Sequence, residues 1–121
     1  MGGFVSGMIA TVAYDEELAF RIRAMLDDAD GLTERAMFGG LAFLLDGNMA
    51  IVVSGRGGLM ARVDRDEGEA LLAEPGVAPF EMRGKPMAGW LRVDAGAVEE
   101  DADLRPWVER CVAFTRTLPP K

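Results

Sequence analysis

Three apolar runs, separated by two very short glycine-containing breaks, constrain this chain most. The breaks are Asp46-Gly47-Asn48 and Ser54-Gly55-Arg56-Gly57-Gly58. Both are rich in residues that tolerate positive φ, and neither is long enough for the crossover that parallel pairing requires. The runs over 35–45, 48–54 and 59–63 are therefore expected to be three neighbouring antiparallel strands. Within the first run, Gly39-Gly40 is expected to mark a bulge or bend of one long strand rather than the close approach of a ligand or another backbone. The Gly55–Gly58 stretch has no following helix and no Lys-Ser/Thr pair, so it is read as a hairpin loop and not as a phosphate cradle.

Helical periodicity brackets these strands. Asp15 is expected to cap a first helix, with Glu16 and Glu17 in its first turn and Leu18, Ile22, Met25, Leu26 and Ala29 on one face. Phe20 points the other way, and Gly31 is expected to end the helix. Asp64 and Glu67 resemble a capping box that opens a short helix, stopped by Pro75-Gly76. Strands are expected over 80–83 and 87–93, joined around Gly84-Lys85-Pro86. A last helix is expected over 104–117, with Asp103 as its cap and Pro106 in its first turn. Leu104, Trp107, Val108, Cys111, Phe114 and Leu118 share its apolar face. The order α-β-β-β-α-β-β-α predicts a two-layer α+β fold, with a five-stranded antiparallel sheet and helices packed mainly on one face. Residues 1–13 are expected to be a poorly ordered extension, and 14–121 a single domain.

Composition narrows the chemistry. The 121 residues include 20 acids, 13 basic residues and no histidine, giving a net charge of −7. The lack of histidine removes the commonest general base, the Ser-His and Cys-His nucleophile pairs and most transition-metal sites. A single cysteine permits no internal disulfide, which fits a reducing, cytoplasmic setting. Ser54 has no activating base, Cys111 falls on a core face, and the acids at 99, 100, 101 and 103 lack the alternating ligands of a calcium loop. No catalytic residue, cofactor site or metal site is expected. No run reaches the roughly 20 apolar residues that a membrane span needs, so no membrane partner is expected.

Five motifs stand in register along the chain. They are Met37-Phe38-Gly39-Gly40, Asp46-Gly47-Asn48-Met49, Leu59-Met60-Ala61-Arg62-Val63, Gly84-Lys85-Pro86-Met87-Ala88-Gly89-Trp90, and a tail running from Trp107-Val108 to Leu118-Pro119-Pro120-Lys121. Together they resemble the N-terminal domain of the TfoX/Sxy family, and a stand-alone domain without the regulators' C-terminal domain is expected. The resemblance implies a two-layer α+β fold and a homodimer. In two-domain bacterial members it further implies regulation of competence together with a catabolite-activator-type transcription factor. It supplies no catalytic residues.

The second sheet face is the candidate interaction surface. On the strand 87–93, Trp90 and Arg92 share one side; in the preceding hairpin, Met60 and Arg62 do so. Large apolar groups beside arginines are typical of contact surfaces. Met60, Arg62, Trp90, Arg92 and the outward Phe20 are therefore the candidate residues. The expected function is a non-enzymatic regulatory or protein-interaction domain, with a second copy and a transcription factor or other protein as partners. The alternatives are a small-molecule-binding protein or enzyme of unknown substrate, and direct nucleic-acid binding through Arg35, Arg62, Arg83, Lys85 and Arg92. The overall acidity disfavours the latter, because phosphate backbones are bound by clustered cations.

Overall fold

Asp15 starts the first helix as its residue type demands: its carboxylate accepts the Leu18 N–H at 3.1 Å, filling one of the free donors of helix α1 (Glu16–Met25). The computed structural model describes residues 14–37 and 39–121. The expected disorder of residues 1–13 lies outside them. Helix α1 stops at Met25, well short of Gly31. Asp27 and Asp28 follow at once, and their carboxylates oppose the negative end of the helix dipole.

After α1 the described chain runs β1 (Leu32–Met37), β2 (Gly40–Leu45), β3 (Asn48–Val53), β4 (Leu59–Arg62), α2 (Arg65–Leu71), β5 (Val77–Met82), β6 (Lys85–Val93), a 3-10 turn (Ala95–Val98) and α3 (Asp101–Thr115). The strands form one antiparallel sheet in the order β1-β2-β3-β4-β6-β5. The sheet thus has six strands, not five. The expected long first strand is a hairpin, because Met37 pairs with Gly40. Gly39 takes φ +73° in that turn, and a Cβ at Gly40 would collide with the Val53 carbonyl. The glycine pair therefore serves a turn and a close strand approach, not a bulge.

Capping by Asp64, which accepts from Asp66 and Glu67 N–H, matches the expected start of α2. Helix α3 begins earlier than expected, with Glu100 at its cap, so Pro106 lies inside the helix and removes one i→i−4 bond. Leu18 and Ile22 of α1, with Leu26 just after it, meet Trp107, Val108 and Cys111 of α3 over Leu41, Phe43, Ile51, Val53, Leu59 and Leu91 of the sheet. Leu71 of α2 joins the same core. Burial holds the Cys111 thiol up at about 12, so this sulfur packs as a small hydrophobe. Among the described residues, no helix is long and apolar enough to cross a membrane.

Candidate interaction surface

Strand β2 is buried at all six positions, and β3 at five of six. Alternate side chains point to opposite faces, so both sides of these strands are covered. On the helix side the cover is the core already described. On the other side Ala42, Leu44, Val52 and Met60 form a separate cluster. Met37, Met49, Phe80 and Trp90, all partly buried, pack against it, and none of the described helices contributes a side chain to it.

Pairing between β4 and β6 brings four of the five candidate residues together: Met60 lies opposite Arg92, and Arg62 opposite Trp90. Met60 is 8% exposed, so it supports this face from below rather than presenting a side chain for contact. Phe20 is 66% exposed on α1, a helix that packs on the opposite side of the sheet, and does not join the other four. Arg62 is fixed at one end of the face. Its guanidinium carbon lies 5.6 Å from the centre of the Trp90 ring and 5.9 Å from that of Phe114, and Nη1 donates to the Met49 carbonyl at 3.3 Å.

The opposite end of the face is shaped by a bend that the sequence pattern does not announce. Pairing of β5 with β6 jumps between Pro79 and Glu81, from partner Leu91 to partner Pro86. Several β6 residues thus face a single β5 residue, and Gly89 takes φ +84° within that stretch. The distal hairpin turns on Arg83 and Gly84, both at positive φ, as two-residue hairpin turns require. Phe80 and Arg83 of this arm line a groove together with Arg56 of the β3–β4 connection, Met60 and Arg92. The connection itself is a plain hairpin loop: Ser54 N–H donates to the Gly58 carbonyl, and Ser54 Oγ accepts the Arg56 N–H.

Charge is distributed unevenly between the two faces. Among the described residues, the ion pairs within 4.0 Å are Arg21–Asp101, Arg23–Glu34, Arg110–Glu67 and Arg116–Asp46, each with its arginine on or just after α1 or α3. Arg35, Arg56, Arg62, Arg83 and Arg92 have no such partner among those residues, nor do Arg65 of α2 and Arg105 of α3 on the helix side. No group of three or more Cys, Asp or Glu side chains among the described residues is placed to hold a metal ion. The arrangement can bind through apolar contact and guanidinium groups. Sequence reasoning missed Arg56, Phe80 and Met82 as neighbours of this surface, and only the Gly84–Trp90 motif pointed toward them.

No curated protein and no solved structure matches the chain. The model of one family, the TfoX N-terminal domain, matches residues 24–115. That span runs from the last turn of α1 through the whole sheet to the end of α3, and the chain belongs to the TfoX N-terminal domain family.

Proposed function

We propose that this protein is a non-enzymatic regulatory domain that acts through protein contacts, in the cytoplasm and as a homodimer. Transcriptional regulation of the kind associated with competence, through a transcription-factor partner, is the biological role that the family resemblance suggests. The observation that carries the reading is the second sheet face. It is apolar and bordered by arginines without carboxylate partners among the described residues, whereas the helix side is covered by packed helices and carries the four ion pairs. Such a mixture of aromatic, methionine and arginine side chains is the composition of protein interfaces. Self-association is assigned to the end of the face built by Met49, Arg62 and Trp90. There the single arginine already lies over two aromatic rings and donates to a carbonyl, so two copies can approach without opposing free cations.

Size exclusion coupled to light scattering tests the dimer: a dimer mass is expected at micromolar concentration. A monomer mass at every concentration up to about 100 µM would overturn it, since a stable interface of standard size holds well below that range.

A further inference from the structure

At the other end of the face, the bent β5–β6 arm and the β3–β4 connection enclose a groove of about 570 Å³. Met60 and Phe80 are its more buried members, and Arg56, Arg83 and Arg92 are exposed around them. Glu81 is the one carboxylate in the lining, and no carboxylate lies within 4.0 Å of any of the three guanidinium groups among the described residues. The arm also carries Met82 and Met87, 40% and 36% exposed, in a chain that leaves few large hydrophobic side chains open among its described residues. Three unpaired cations over an apolar base, in a protein of net charge −7, are a local reversal of the molecule's sign.

We infer that this groove docks an acidic peptide segment of a partner protein, one with an aromatic or aliphatic side chain set between its carboxylates. The inference rests on the reading that the domain works by protein contact, and it names the chemistry of that contact. Arginine forks match carboxylates in bidentate geometry, and a side chain between them would pack on Phe80 and Met60. Methionines adapt to irregular partners, which suits Met82 and Met87 to the margin of such a site. A nucleic acid fits less well, because its phosphates need a longer run of cations than three arginines on an acidic body provide. A second copy docked face to face here would oppose Arg83 and Arg92 to their own equivalents, which electrostatics disfavours.

Fluorescence anisotropy with the full chain tests this. The probe is a labelled peptide of about twelve residues alternating glutamate with phenylalanine and leucine. The controls are a glutamate-serine peptide, a lysine-for-glutamate peptide and a single-stranded oligonucleotide. Saturable binding of the first probe in the tens of micromolar is expected, weakening with salt, and at least about tenfold tighter than any control. Arg83→Glu with Arg92→Glu should weaken it about tenfold or more while the dimer mass is retained; Arg56→Glu, in an exposed loop, provides the same test should the double variant fold poorly. Absence of binding up to about millimolar peptide, equal binding by the folded variants, or preference for the oligonucleotide would overturn the inference. A chain that dimerises yet ignores the peptide loses this inference and keeps the preceding proposal.

Discussion

Arg23 and Arg62 sit on opposite sides of one sheet and are held in different ways. Arg23 gives Nε and Nη2 to the two oxygens of Glu34 at 2.7 and 2.9 Å, a bidentate pair that holds the carboxyl below its usual range, chiefly through the hydrogen bond. Arg62 lies against two aromatic rings and one carbonyl, with no carboxylate in reach among the described residues. On the helix side Arg21, Arg110 and Arg116 also meet carboxylates, while Arg65 and Arg105 there have none within 4.0 Å among the described residues; on the other side Arg35, Arg56, Arg83 and Arg92 have none either. Helix packing closes the first face and supplies acids that pair with four of its arginines. The second face keeps its apolar cluster under a thin border of methionines and aromatics and leaves its cations uncompensated. One sheet thus carries a helix-covered core on one side and, on the other, the face proposed for protein contact.

The largest test of this contrast is Trp107→Ala. Trp107 is 4% exposed between α3 and the sheet, and its removal should cost roughly 3–5 kcal/mol in denaturant unfolding. A loss below about 1 kcal/mol would mean that the helix side is not the stabilising one. Next comes Gly40→Ala, in which the new methyl meets the Val53 backbone; because backbone gives way poorly, a loss of about 2–3 kcal/mol is expected. This change strikes the strand shared by both faces, so it should lower stability without changing the mass of the folded species. Trp90→Ala should cost less, under about 2 kcal/mol, and should shift the light-scattering mass toward the monomer. Equal stability losses for the two tryptophans, with an unchanged mass, would erase the distinction between the faces.

The smallest effect belongs to the Arg23–Glu34 pair, whose side chains are 45% and 32% exposed, so screening keeps it below about 1 kcal/mol. The folded carboxyl titrates below its unfolded counterpart. The pair therefore stabilises fully above the ordinary carboxylate range, and its contribution is lost as pH falls through the lowered folded value. Urea unfolding of the wild type and Glu34→Gln across pH 3–7 should show a small gap that closes toward acid. A gap that widens toward acid would contradict the pairing.

Much of the helix side was legible in the sequence because it is local. Asp15 and Asp64 cap where their side chains allow, and Trp107, Val108 and Cys111 recur at helical spacing and point into the core. The uninterrupted apolar runs of β2 and β3 also carried a signal for the second cluster, since a strand open to solvent on one side would alternate with polar residues. The turn between β1 and β2 was hidden: Met37 to Leu45 reads as continuous apolar strand, and only the collision at Gly40 explains why glycine stands there. The expected block of Met60, Arg62, Trp90 and Arg92 did assemble, because strand alternation and antiparallel pairing are sequence-readable. The groove was not legible. Arg56, Phe80 and Arg83 converge only through the register jump in β5, a tertiary event with no periodicity of its own.

That jump has a further consequence at the outer boundary of the sheet. Strand β5 is an edge, and an exposed edge is a template on which another molecule's strand can add and continue into a fibre. Pro79 has no N–H to offer such a strand, and the pairing breaks immediately beyond it, so the ladder presents no long straight row of donors and acceptors. The same irregularity that shapes the arm beside the apolar face thus blunts this edge against uncontrolled growth, and leaves the proposed association to side chains rather than to backbone pairing.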